Sequence, residues 1–161
     1  MSNTNYLVVK DKVQRFAKQL FNIVELNDDG SLSIPYESTH VFVEVFDTTS
    51  TDAEFAAFKK ENDLSNSIVQ VWAMVLMDVK PSNELYKWIA TEGQEFDFGS
   101  FKIAMREDGM SNIVYRTNIG GDNLDAGELK EALLAVASSA DNNDETLKSR
   151  FGGKTVSDAR N

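Results

Sequence analysis

The fold of this chain is decided by residues 97–140, which read DFGSFKIAMREDGMSNIVYRTNIGGDNLDAGELKEALLAVASSA. Apolar and polar side chains alternate over residues 98–106 and again over residues 112–119. This period of two is typical of strands with one apolar face. The residues EDGM at 107–110 supply a turn, so the two runs are predicted to form an antiparallel hairpin. The apolar face of the second strand holds Ile113, Tyr115, Thr117 and Ile119.

A capped helix is predicted directly after this hairpin. Gly120 and Gly121 end the second strand, and Asp125 with Glu128 three residues later forms the pattern of a capping box. The apolar residues that follow recur at helical spacing. They are Leu129, Ala132, Leu133, Val136, Ala137 and Ala140. A strand-turn-strand-helix unit of this kind has to bury both of its apolar faces in one core.

The residues before this unit have the same mixture of strand and helix patterns. The predicted elements are a helix over residues 9–20, short strands over 22–26 and 31–35 around a turn at 27–30, strands over 40–46 and 68–76, and a helix that begins after Ser82. Consecutive strands joined by short turns indicate an antiparallel sheet. The chain is therefore predicted to have an α+β fold, with the sheet packed with helices in the order α-β-β-β-(insert)-β-α-β-β-α.

Three segments have weaker patterns. In the acidic insert, whether residues 52–63 form a helix stays open. After the polar residues 141–144, a short helical stretch is expected up to Phe151. We expect a single domain over residues 1–153 and a mobile C-terminal tail over residues 154–161.

Composition excludes several classes of function. The 161 residues include no cysteine, which excludes disulfides, thiolate catalysis and thiolate-ligated zinc. The formal net charge of −10 disfavours an extended contact with nucleic acid, because acidic surface would face the phosphates. No apolar run of about 18 residues and no signal-peptide pattern are present. A cytoplasmic protein without membrane contact is therefore expected.

Residues able to catalyse a reaction or bind a metal are sparse. His40 is the only histidine, and it begins a strand after a polar loop, where a histidine without catalytic function is common. Asp28 and Asp29 lie in a turn that lacks the later ligands of a calcium loop. The acidic residues at 92–97 are better explained as a solvated loop than as an acid–base pair. We therefore expect a protein that is not an enzyme and uses no metal or other cofactor.

The apolar side chains of two strands form the candidate site. Phe42 and Phe46 share one side of the strand over residues 40–46, and Trp72 and Met74 share one side of the next strand. If helices cover only one sheet face, these four residues form a patch suited to a partner helix, a peptide or a second subunit. If helices cover both faces, the patch is core. The sequence leaves these two alternatives open.

The two sides of the strand over residues 68–76 differ in size. One side holds Val69, Val71, Ala73 and Val75, and the other holds Ile68, Gln70, Trp72, Met74 and Leu76. The small, mostly β-branched side suits close packing of a helix. Trp72 is therefore predicted to face a groove or a subunit contact, and not the helix-packed core.

Several motifs, together with the order of the elements, resemble a known family. The motifs are VLMDVKPSNEL at residues 75–85, FGSF at 98–101, LDAGEL at 124–129, and the stretch over 140–153. Over roughly residues 8–153 the chain is similar to class I type III secretion chaperones and YbjN-like proteins, in particular to a chaperone-like branch from actinobacteria.

This resemblance implies a fold and a binding function. The type III secretion chaperone-like fold implies a non-catalytic module that binds peptide segments of other proteins, often as a homodimer. The shared motifs are turns, caps and core positions, so the resemblance implies no catalytic residue. We expect a protein- or peptide-binding module that uses an apolar sheet face or groove. The alternative is a small-ligand-binding regulator or an enzyme with a pocket between helix and sheet.

Overall fold

The computed structural model describes residues 4–160, and its elements follow the predicted order with one short helix added at the end. The helices are α1 (Thr4–Leu20), α2 (Ala53–Glu61), α3 (Asn83–Ala90), α4 (Ala126–Phe151) and α5 (Val156–Ala159). The strands are β1 (Glu25–Leu26), β2 (Leu32–Tyr36), β3 (Thr39–Asp47), β4 (Ser67–Val79), β5 (Ser100–Met105) and β6 (Ser111–Gly120).

The described strands form one six-stranded sheet in the order β1-β2-β3-β4-β6-β5. Every neighbouring pair is antiparallel. The first four strands follow one another along the chain, and the β5–β6 hairpin joins them through β6, which pairs with β4. This arrangement confirms the predicted α+β fold with an antiparallel sheet.

Helices α3 and α4 begin where the sequence predicts. The Asp125 side chain accepts a hydrogen bond from the Glu128 N–H at 2.8 Å, and the Glu128 side chain accepts one from the Asp125 N–H at 3.1 Å. This reciprocal pair is the expected capping box of α4. At the start of α3 the Ser82 side chain forms a simple cap by accepting one hydrogen bond from the Leu85 N–H at 3.1 Å.

The helices α1 and α4 pack on one face of the sheet. Val69, Val71 and Ala73 of β4 are completely buried on this face. Trp88 of α3 joins the same core, where its ring lies 5.1 Å from that of Phe101 on β5. Each large apolar side chain that is fully buried here contributes about 1.5–3 kcal/mol to folding. The small, mostly β-branched side of β4 is therefore the helix-packed side.

Leu76 departs from the predicted alternation of β4. The sequence places it on the same side as Trp72, whereas in the structure Leu76 is completely buried in the core. The register between β4 and β6 shifts between Met74 and Leu76. This irregularity is a β-bulge, and a bulge reorients the side chains that follow it.

Helix α4 continues through the polar residues 141–144, where the sequence suggested a break. Residues 141–144 contain neither glycine nor proline, and polar character alone does not end a helix. The Asn143 side chain also donates a hydrogen bond to the Ser139 carbonyl at 2.8 Å, one turn earlier. Leu147 is buried and holds the last turns of α4 on the core.

The C-terminal segment differs from the mobile tail expected over residues 154–161. Lys154 and Met77 exchange two backbone hydrogen bonds of 2.8 Å, which attach the segment to β4. Thr155 is completely buried and caps α5 by accepting a hydrogen bond from the Asp158 N–H at 3.3 Å. The segment is therefore docked as far as residue 160, and the last residue lies outside the described part of the chain.

The insert between β3 and β4 folds as α2, which answers the question left open for residues 52–63. Asp52 caps the helix by accepting from the Phe55 N–H at 2.8 Å. Lys59 is buried, and its ammonium donates to the Thr48 carbonyl at 3.0 Å. Phe55 and Phe58 are each about half exposed and stack on one another.

Candidate functional site

The sheet face opposite α1 and α4 is the candidate site, and we call it the open face. On the three central strands it consists of His40, Phe42, Glu44 and Phe46 of β3, Ile68, Gln70, Trp72 and Met74 of β4, and Val114, Arg116 and Asn118 of β6. Each of these side chains is partly or largely exposed. Within residues 4–160, no helix buries this face. The structure therefore matches the alternative in which helices cover one sheet face.

Phe42 and Trp72 form the centre of the open face. They are directly opposite in the β3–β4 register, and their rings stack with centroids 4.4 Å apart at an angle of 19°. The Trp72 indole N–H donates to the Glu44 carboxylate at 3.1 Å, and the Gln70 amide donates to the same carboxylate at 3.3 Å. These contacts hold the indole ring in one orientation.

The other two predicted residues lie at different distances from this centre. Met74 follows Trp72 on the same side of β4 and pairs with Val114 of β6. Phe46 lies at the far end of β3, opposite Ile68, and is 44% exposed. Glu44 separates Phe46 from Phe42 along β3. Phe42, Trp72 and Met74 are therefore contiguous, whereas Phe46 is a separate apolar contact.

Strand β6 adds residues that the sequence analysis missed. Arg116 lies directly opposite Trp72, and Val114 lies directly opposite Met74. The alternation of residues 112–119 places both on the side opposite Ile113 and Tyr115. Only the pairing of β6 with β4 brings them beside Trp72, and this long-range pairing has no local sequence signal.

His40 lies at one end of the open face, beside the C-terminal segment. Its ring is 6.5 Å from that of Phe42, and the Arg160 guanidinium contacts its Nδ1. Burial lowers the pKa of His40, and the positive charge of Arg160 lowers that pKa further. Both effects disfavour the protonated imidazole.

Two of the acidic residues considered as acid–base or metal candidates, Glu92 and Asp29, have partners within the fold. Glu92 pairs with Arg150 of α4 at 3.3 Å, and Glu84 of α3 pairs with the same guanidinium at 3.1 Å. The Asp29 carboxylate accepts hydrogen bonds from the Ser31 N–H and hydroxyl at 2.9 and 2.7 Å, which shapes the turn before β2. Over residues 4–160, no three metal-ligating side chains cluster together.

A concave surface lies between α1 and the β1–β3 end of the sheet. It encloses about 220 Å³. Its lining is mainly apolar, with Lys10, Asp11 and Gln14 as the polar members. The apolar lining residues are Leu7, Val13, Leu26, Leu32, Val43 and Val45. This cavity corresponds to the pocket between helix and sheet that the alternative function requires.

The sequence of residues 8–159 matches the TY-Chap1 family, described as T3SS (YopN, CesT) and YbjN peptide-binding chaperone 1. The chain belongs to this family. The match covers nearly all of the described residues, including the docked C-terminal segment, and it confirms the resemblance found from the motifs. The family is one of peptide-binding chaperones.

Two solved structures share the fold. The type III secretion chaperone SycH of Yersinia pestis, in complex with a stable fragment of YscM2, aligns with a TM-score of 0.51 at 11% identity, covering 83% of this chain and 98% of that chain. A chain of the ExsC–ExsE complex aligns with a TM-score of 0.56 at 14% identity, covering 88% and 95%. A comparison with curated protein sequences gives no match. Over residues 4–160, no helix is long and apolar enough to cross a membrane.

Proposed function

We propose that this protein is a non-catalytic, chaperone-like module that binds peptide segments of other proteins on its open face, without a cofactor. The observation that carries the proposal is the contiguous, partly exposed cluster of Phe42, Trp72 and Met74, with Phe46 as an additional contact. An apolar sheet surface of this kind is suited to the side chains of a peptide or helix. The description of the family as peptide-binding chaperones supports the same function.

The open face is already arranged for binding. The Trp72 ring is fixed between Phe42 and the Glu44 carboxylate, so a bound segment does not have to order it. Surfaces with fixed aromatic side chains lose less conformational entropy on association than flexible surfaces do. Aromatic residues of this type also carry much of the energy in protein interfaces.

The expected affinity is moderate. Full burial of a large apolar side chain contributes about 1.5–3 kcal/mol, and the open-face side chains are already partly buried. Four of them then contribute roughly 4–8 kcal/mol before the entropy cost of association is subtracted. Since about 8 kcal/mol corresponds to a micromolar dissociation constant, these four side chains alone give micromolar affinity at most.

Selection from a random library tests this function and needs no identified partner. A phage-displayed library of random linear peptides is selected on the purified protein, and the selected peptides are measured by fluorescence polarisation. We expect Phe42→Ala and Trp72→Ala to weaken binding about tenfold or more. Phe58→Ala, an exposed phenylalanine on α2, is the matched control. If Phe42→Ala and Trp72→Ala bind the peptides as tightly as the control Phe58→Ala does, the peptide site lies outside the open face.

A small-ligand function is the second candidate, and the cavity beside α1 is the observation that favours it. Its volume of about 220 Å³ is below the roughly 300–1,000 Å³ of most ligand sites, so it ranks second. Leu26 is exposed at the cavity wall, and Leu26→Arg would block it. Binding of a small apolar fluorescent probe that is lost in Leu26→Arg and kept in Trp72→Ala would support this alternative.

We further propose that the module is a homodimer. The support is the resemblance to type III secretion chaperones, which are often homodimers, together with the apolar character of both sides of β4; the dimer contact is proposed to leave Trp72 and Arg116 free for the peptide. The molar mass in solution tests this assembly.

A further inference from the structure

The open face has an uneven distribution of charge. On its β5 and β6 strands the residues are Ser100, Lys102, Ala104, Asn112, Val114, Arg116 and Asn118. This set includes two cations and no acidic residue. The chain as a whole has a formal net charge of −10, so a strip of surface with only positive charge is unusual for it. The strip lies directly beside the Phe42–Trp72 pair.

The two cations have no anionic partner among the described residues. The Arg116 side chain forms no hydrogen bond or ion pair within residues 4–160. The Lys102 ammonium donates to the side-chain oxygen of Gln94 at 3.2 Å, which is a neutral acceptor. Glu44 is the acidic residue on the central strands of the open face, and its carboxylate already accepts from Gln70 and Trp72. Glu44 also lies on β3, so the strand β4 separates it from Arg116 on β6.

We infer that the peptide segment bound by the open face is acidic as well as apolar, with a carboxylate that pairs with Arg116. The inference rests on the proposed function and names the chemistry of its partner. An aspartate or glutamate can accept two parallel hydrogen bonds from a guanidinium, which gives both energy and orientation. A partly buried guanidinium is also screened less by salt than a fully exposed one.

The spacing between the two contacts is set by the sheet. Trp72 and Arg116 are directly opposite on adjacent strands, which lie about 4.7–4.9 Å apart. An extended peptide advances about 3.3 Å per residue. The carboxylate is therefore expected within about one to three residues of the apolar side chain that contacts Trp72.

The test uses the peptides selected from the random library on the wild-type protein. We expect aspartate or glutamate to be enriched at a fixed distance from an apolar residue. Affinity is expected to fall about tenfold in Arg116→Ala and to fall between about 0.01 M and 1 M salt. Arg15→Ala is the matched control, because Arg15 is exposed on α1, on the other side of the sheet. A new selection on Arg116→Glu is expected to replace the acidic residue by lysine or arginine.

The outcomes separate this inference from the proposed function. The selected peptides could require Trp72, show no preference for acidic residues, and bind Arg116→Ala with unchanged affinity. That result would overturn the inference and leave the proposed function intact. The absence of any peptide that requires Trp72 would overturn both.

Two other occupants of the open face would also overturn the inference. Tighter binding of an oligothymidine strand than of the peptides, with loss in both Trp72→Ala and Arg116→Ala, would make the partner a nucleic acid. If the wild-type protein has the mass of a dimer and both Trp72→Ala and Arg116→Ala have the mass of a single chain, the occupant of the open face is a second copy of the chain.

Discussion

Replacing each tryptophan by alanine separates a surface contact from a core contact. Trp72 is partly buried on the open face, where it stacks on Phe42. Trp88 is 6% exposed, and its ring lies 5.1 Å from that of Phe101 and 5.7 Å from that of Phe151. Both substitutions remove the same side chain. The difference between their free energies of unfolding therefore reports the two environments.

The structure predicts clearly different costs. Trp88→Ala leaves a closed cavity in the core, and such substitutions cost about 3–5 kcal/mol. Trp72→Ala loses one stacked pair, about 0.5–1.5 kcal/mol, and one hydrogen bond to Glu44. Water can replace the hydrogen bond to Glu44 but not the stacking, so the total is about 1–2 kcal/mol. For a domain of this size the melting temperature then falls by about 2–8 °C in Trp72→Ala and about 6–20 °C in Trp88→Ala.

Circular dichroism melts of the monomeric state, together with peptide binding by fluorescence polarisation, measure both effects. We expect Trp72→Ala to melt cooperatively and to lose peptide binding. A melting temperature for Trp72→Ala as low as that of Trp88→Ala would refute the reasoning. It would mean that the open face is covered in the folded monomer and that Trp72 is core.

Three other measurements test the remaining proposals. Light scattering coupled to size exclusion at micromolar concentration is expected to give twice the chain mass of 18.0 kDa, and a clean single-chain mass at high concentration would contradict the dimer. A thermal-shift screen over divalent metals and nucleotides is expected to show no change in melting temperature, because the sequence has one histidine, no cysteine and no phosphate loop. A specific, saturable rise in melting temperature with any of these ligands would count against a binding module without a cofactor. Hydrogen bonding to Lys148 holds the pKa of Asp158 below its usual range. This pair therefore stabilises the docked C-terminal segment above about pH 4, and the stabilisation is lost as the pH falls through the lowered pKa. The melting temperatures of wild type and Asp158→Asn should differ near neutral pH and become equal near pH 3 or below. A difference in melting temperature that does not depend on pH would exclude the Asp158–Lys148 pair as its cause.

Elements with local signals could be predicted from the sequence. The β5–β6 hairpin has alternating side chains and a turn containing Gly109, which has a φ of 81°. The capping box at Asp125 depends on residues only three positions apart. These features follow from neighbours in the chain, so the sequence alone is sufficient for them.

Features that depend on distant contacts could not be predicted in this way. Leu76 enters the core because a bulge forms against β6. Lys154 docks because its backbone pairs with Met77, far away in the chain. The same limit applies to the candidate site, where Arg116 reaches Trp72 only through strand pairing. A polar or glycine-containing segment can therefore be ordered by partners that its own sequence does not show.

The difference between the two sides of β4 is the sequence feature that bears most directly on function. A helix packs closely on a surface of small, similar side chains, which Val69, Val71 and Ala73 provide, and these residues are completely buried. The bulky side around Trp72 would keep a helix further from the sheet. Residue size thus predicts the covered side of a strand even when both sides are apolar. Use of the uncovered side to bind peptides stays a prediction, because one fold can serve several functions and only the side chains of the open face distinguish among them.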